Sequence, residues 1–405
     1  MYSGRPIALI AGVLYGLPAL TVAADDAGRA AVAAAVVESA GPTDPAATSP
    51  SSPTPSNPGD PFRWWVSADY VFGWLRGASA PPLLSARPIS GGPPTVLFPD
   101  GGLNGDGRSG FQLRGGLWLD ACATCGIEVG TLYLCSSEDR ARVGDTSGTI
   151  IGRPFFNALL GAPDVELVSV PGALSGRAAI DAEASHFCGA DVAFHNAICC
   201  DCRGRLDWLI GYRFLSFDDS VRVFEDLHPT AAPFPPGSQI GVADGFTATN
   251  RFHGLLVGLA GEYRLDGWFV EGRLAASVGR TFRTATVAGQ TSFNIPPEAP
   301  VVLPGGVLAL STNTGSLSTS DWTVVPEAAV RIGYRVNDCL RVYAGYSVLY
   351  WPGVYRAANQ IDPVVNPGLL PPPVVPPVGP GQPQFPDRKS ALWVHAASIG
   401  LEWRY

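Results

Sequence analysis

Residues 321–351 read DWTVVPEAAVRIGYRVNDCLRVYAGYSVLYW. Trp322, Val324, Ala328, Val330, Ile332 and Tyr334 fall on one face, and Thr323, Glu327, Ala329, Arg331 and Arg335 on the other. After a polar turn at Val336-Asn337-Asp338, a second apolar set follows: Leu340, Val342, Ala344, Tyr346, Val348 and Tyr350. It opposes Arg341, Tyr343, Gly345 and Ser347. Successive strand side chains point to opposite faces, so the stretch is an antiparallel hairpin with one apolar and one polar side. Each arm is long against the usual strand of about 5–6 residues. Trp322 and Trp351 stand at the ends away from the turn.

The plan repeats along the chain. Alternating segments at 64–77, 109–120, 125–135, 177–198, 204–217, 245–264, 268–283 and 390–405 join the two arms of the hairpin to give about ten strands. Short connections at 121–124, 199–203, 265–267 and 336–338 alternate with long Pro/Gly-rich ones. Asp266-Gly267 is a strong two-residue hairpin signal. A soluble sandwich gives no reason for that regularity. A transmembrane antiparallel up-and-down β-barrel does, with short periplasmic turns and long external loops.

Composition agrees with an apolar exterior. Charged residues are 15%, below the usual quarter of a soluble chain. The net charge of −8 and the lack of any basic cluster argue against a nucleic-acid partner. Residues 1–24 read as a secretory signal, with Arg5, an apolar run 7–20 and Val22-Ala23-Ala24 as a small-residue cleavage site. Residues 25–60 read as a disordered Ala/Pro/Ser-rich lead-in, and 61–405 as the barrel. No later run is long enough for a spanning helix.

The tryptophans avoid strand centres. Trp65, Trp118, Trp208, Trp268 and Trp403 lie at periplasmic ends, and Trp74, Trp322, Trp351 and Trp393 at external ends. That distribution is expected of an aromatic girdle at the two lipid interfaces. The alternating last strand ends on Trp403-Arg404-Tyr405, the form of signal that outer-membrane insertion machinery recognises.

Cys122 and Cys125 sit in one short turn, and Cys199, Cys200 and Cys202 in the next; Cys135 and Cys188 are at similar heights on neighbouring strands. In an oxidising compartment these are disulfide candidates, with Cys135–Cys188 the expected pair. A zinc or redox site is the sharper alternative, but the second cluster lacks regular ligand spacing and has no His at hand. No phosphate-binding loop, serine elbow or HExxH motif occurs. No catalytic residue, metal or cofactor is expected; a hydrolase is the third-ranked alternative. Asp218, Asp219, Glu225 and Asp226 have oxygen ligands that suit calcium, but a solvated strand end is the simpler reading.

The face opposite the apolar one carries Arg114, Glu128, Arg213, Glu271, Arg273, Glu327, Arg331, Arg335 and Arg341. Such charges either line a water path or pair into a plug. Read as a pore wall, they predict passive diffusion of small polar solutes. The alternative is a plugged structural barrel whose external loops contact an outer layer or a partner.

The segments WVSADYVFGWL, SGFQLRGGLWLD, GIEVGTLYL, GRLDWLIGYRFLSFDDSV, FHGLLVGL, VPEAAVRIGYRVNDCLRVYAGYSVLYW and IDPVVNP resemble the family known as putative beta-barrel porin seven, found chiefly in planctomycetes. The resemblance runs in order over residues 64–405. It implies an outer-membrane barrel with a pore role and supplies no catalytic residues.

Overall fold

The computed structural model describes residues 64–201 and 203–405; the expected signal and lead-in lie outside them. Ten strands form the wall: β1 (Trp64–Leu75), β2 (Gly107–Trp118), β3 (Cys125–Leu134), β4 (Phe187–Cys200) and β5 (Gly204–Pro229), followed by β6 (Gln239–Leu265), β7 (Trp268–Asn294), β8 (Gly315–Arg335), β9 (Leu340–Tyr355) and β10 (Lys389–Arg404). Each pairs antiparallel with the next in sequence. β1 pairs with β10 from Trp65↔Arg404 to Leu75↔Val394 and closes the ring. Among the described residues no helix is long and apolar enough to cross a membrane.

The apolar face of each strand is the outer one. On β1, Val66, Tyr70 and Phe72 are exposed while Ser67, Asp69 and Val71 are buried. A soluble sheet would show the reverse, so the solvent of this face is lipid. On β7 the outward face runs Trp268, Val270, Leu274, Val278 and Phe282, then turns to Thr284, Thr286 and Gln290. Thr284 and Thr286 bond to Ser318 and Ser316 of β8, at 2.9 Å each. The lipid belt therefore ends near Phe282. Val270 to Val278 spans about 27 Å of strand, or about 20 Å of height at the usual ~40° tilt.

Above the belt the wall continues into water. Residues 218–243 and 284–319 were expected to be loops. Instead β5 runs to Pro229, β6 starts at Gln239, β7 runs to Asn294 and β8 starts at Gly315. The reason is local: the outer side chains become polar while the inner ones become mostly apolar, so the sharp lipid-facing alternation fades although the ladder does not. The expected strand 177–198 divides near Ser185: Leu174–Ala184 pairs with upper β5, and β4 pairs with lower β5. A second sheet of Leu84–Pro88, Thr95–Phe98, Thr149–Asn157, Ala162–Ser169 and Val364–Val365 forms from the external loops. The short periplasmic turns behave as expected: Asp266 and Gly267 both adopt positive φ, which a tight two-residue hairpin requires.

Candidate functional site

Alternation turns Arg114, Glu128, Arg213, Glu271, Arg273, Glu327, Arg331 and Arg341 into the bore; Arg335 is exposed at the periplasmic rim. The inward charges do not stand around a water path. They meet across it. Arg114 of β2 lies 2.7 Å from Glu128 of β3 and 3.8 Å from Glu327 of β8. Arg273 of β7 bonds to Glu128 and sits 3.2 Å from Asp191 of β4. Arg213 of β5 lies 3.1 Å from Asp191 and bonds to Glu327. Three guanidinium groups thus face three carboxylates, drawn from six strands on both sides of the ring. The cluster is neutral and almost wholly buried. Charges removed from water are tolerated only when paired this completely.

A second cluster lies toward the periplasm. Arg341 is 2.9 Å from Glu262 and 3.4 Å from Glu271. Arg404 is 3.0 Å from Glu262 and also bonds to Glu402. Arg331 extends this second cluster, 4.0 Å from Glu271 and 3.2 Å from Asp69, and lies 4.7 Å over the Tyr343 ring. His195 stands between Glu128 and Asp207, at 3.4 and 3.8 Å. Asp69, Asp191, His195, Asp207 and Glu262 were missed as site residues. Strand parity alone would have found Asp69, which alternates with the outward Ala68 and Tyr70.

Three expected girdle residues point inward instead. Trp65 shares the face of Ser67 and Asp69. Trp118 lies beneath the Arg205 guanidinium at 4.0 Å and meets His195 edge-on. Trp351 is fully buried, donating from Nε1 to Thr281 Oγ1 at 3.0 Å. Trp74, Trp208, Trp268, Trp322, Trp393 and Trp403 lie on the outward face.

Above the ions the bore is apolar. Val71, Leu134, Phe187, Leu215, Phe217, Phe252, Val325 and Trp351 pack into one cluster, each at most 1% exposed. At this level the inward side chains pack against one another.

The β9–β10 loop completes the closure. The ladder with β10 shifts between Trp351 and Val354, and Gly353 takes a φ of +71° that a side chain would resist. The chain then turns inside. Tyr355 N–H donates to Asn250 Oδ1 at 2.7 Å, and Asn250 Nδ2 donates to the Tyr355 carbonyl at 2.9 Å. Arg356 Nε donates to Asp219 at 2.6 Å, and Ala357 N–H donates to the same carboxylate at 2.8 Å. Residues 357–360 form a buried helical turn, and Val364–Val365 pairs parallel with Phe156 and Asn157. Arg153 ties the second sheet to the upper wall, 2.7 Å from Glu225 and 2.6 Å from Asp244. The acidic run on β5 is therefore not a solvated strand end: Asp219 and Glu225 are buried ion partners. Burial and the nearby Glu225 push the Glu166 carboxyl up to about 8.

The described cysteines, 122, 125, 135, 188, 199, 200 and 339, are free thiols; Cys202 is outside the described residues. Cys188 pairs with Tyr133, so Cys135 is its diagonal neighbour, two residues along. Diagonal positions are about 7–8 Å apart, beyond the ~4 Å Cβ spacing of a disulfide. Among the described residues no group of three His, Cys, Asp or Glu is placed to hold a metal ion.

A closed antiparallel ring with an apolar outside and an ion-paired inside defines a membrane-spanning β-barrel. The chain belongs to the family described as Putative beta barrel porin-7 (BBP7), which matches residues 65–405. It is an outer-membrane protein. No curated protein matches it. Among solved structures, the outer membrane protease OmpT of Escherichia coli is similar at 14% identity and a TM-score of 0.41, covering 84% of this chain and 97% of its own. The Pseudomonas putida toluene transporter TodX matches at 7% identity and a TM-score of 0.23, over 85% and 91% of the two chains. A Pseudomonas aeruginosa FadL homologue matches at 8% and 0.20, over 84% and 89%. Resemblance at these levels carries no functional argument.

Proposed function

We propose that the protein is a plugged outer-membrane barrel, anchored by lipid, whose external crown contacts an outer layer or a partner, and that it is neither an enzyme nor a constitutive pore for small polar solutes. The observation that supports this reading is the cross-bore neutral ion cluster lying beneath an apolar layer closed to water. A diffusion pore needs a continuous polar path, and charged rings select ions only where water reaches them. Here the charges satisfy one another, and the chain after β9 spends its polar groups on holding itself inside. The last strand, ending in an aromatic, serves as the insertion signal. Planar-bilayer recording on folded, purified protein tests the reading. Silent membranes are expected; steady stepwise conductance in wild-type protein restores passive diffusion.

A further inference from the structure

The wall is split between β8 and β9. Their ladder stops at Glu327↔Leu349 although both strands continue. The next residue of β8 is Pro326, which has no N–H to donate. Above that point β8 stays with β7 up to Val287↔Gly315, while β9 stays with β10 and bends inward. Trp351 passes behind β8 to reach Thr281 of β7.

On the outside of this split lies a recess of about 560 Å³. Leu274, Ala276, Pro326, Val348, Tyr350 and Trp393 line it. Its walls are almost wholly apolar, and Glu327, whose carboxylate turns into the bore, contributes no charge to it. Ala276 and Ala328 keep the floor low where their neighbours on the same face, Leu274 and Val330, are large. The recess lies within the lipid belt, below Arg280 and Trp322 on the same outward face of β7 and β8. Water does not reach this level of the wall; hydrocarbon does. The volume falls in the range of small-molecule sites, about 300–1,000 Å³.

We infer that the β8–β9 split is a binding site for one acyl chain of a membrane phospholipid, held more tightly than the lipid that merely surrounds the barrel. The chain seats lengthwise between Pro326 and Tyr350, with its headgroup end toward Trp322. The occupant is phospholipid because the recess opens sideways into the bilayer and offers no polar partner to a soluble ligand.

The test uses the full barrel reconstituted in vesicles of dipalmitoyl phosphatidylcholine, then extracted in mild detergent and weighed by native mass spectrometry. One phospholipid is expected to stay bound, and its occupancy to fall at least about tenfold in an Ala276→Trp/Ala328→Trp variant. A Val129→Trp variant, on the opposite outer face, controls for bulk and should retain the lipid. Dioctanoyl phosphatidylcholine, with chains half as long, should be lost from wild type. Shifted mobility on unheated gels shows that each variant is folded. Equal retention in the groove-filled and wild-type proteins, no retained lipid, or indifference to chain length overturns the proposal. Silence or conductance in bilayers leaves this result untouched, so the two proposals fail separately.

Discussion

Arg356→Met should loosen the plug without dismantling the wall. Arg356 and Asp219 are 2% and 5% exposed, and the guanidinium also lies 5.2 Å over the Phe217 ring. Removing one partner of a buried pair leaves the other charge uncompensated, at a cost of about 3–5 kcal/mol. At 1.4 kcal/mol per decade, that raises the population of a displaced plug roughly 10²- to 10³-fold or more. The cost falls on residues 351–365, because both groups anchor that segment and neither pairs the ring strands. Bilayer recording should therefore show brief openings in Arg356→Met where wild type is silent. The Asp219→Asn/Arg356→Met double variant removes both charges and keeps an oxygen for the Ala357 N–H, so it should return most of the way to silence. A double variant as leaky as the single one, or a single variant that stays silent while its melting temperature falls, would refute the latch.

Three further outcomes follow from the geometry. Glu128→Gln strips a shared partner from Arg114 and Arg273, and should lower barrel stability by about 3–5 kcal/mol, read as an earlier loss of gel-shift on heating in urea. Glu166 titrates at about 8 in the fold against 4.5 in the unfolded chain, so the folded state holds the extra proton between those values. Its contribution is present in full below about pH 4.5 and declines as pH rises toward 8, by an amount on the order of a few kcal/mol. The hydrogen-exchange protection factors of Ala162–Ser169, corrected for the intrinsic pH dependence of exchange, should accordingly fall between about pH 5 and 8 in wild type and much less in Glu166→Gln. Finally, maleimide without reductant should label Cys122, Cys199 and Cys200, and peptide mapping should find Cys135 and Cys188 unlinked; a Cys135–Cys188 linked peptide would contradict the register.

Much of the wall was legible because a strand in lipid leaves a period of two with unusual contrast. Val66, Tyr70 and Phe72 against Ser67 and Asp69 cannot be confused with a helix. The misplaced tryptophans have one cause, which is that position along a strand was used where parity was needed. Trp65 and Trp118 sit at strand ends, as girdle residues do, but their parity already places them inside. Trp351 likewise has the parity of Arg341 and Tyr343, which already places it inside; only the turn inward after it, marked by Gly353, was beyond the pattern. The cysteine pairing failed by two residues, a difference that loop lengths cannot resolve. The plug was hidden because its polar contacts, Asn250 with Tyr355 and Asp219 with Arg356, join segments more than a hundred residues apart.

The β1–β10 seam has a consequence for biogenesis. Trp64 and Tyr405 exchange both backbone hydrogen bonds, at 2.9 Å each, so the ring closes between its earliest and latest strands. Every other wall ladder joins consecutive strands and can form as a hairpin. This one needs all ten strands in place, and until then two bare strand edges face the membrane. An open edge in hydrocarbon is costly in proportion to its length. Closure is thus a single late event, and loss of β10 leaves a curled sheet that nothing in the lipid can finish.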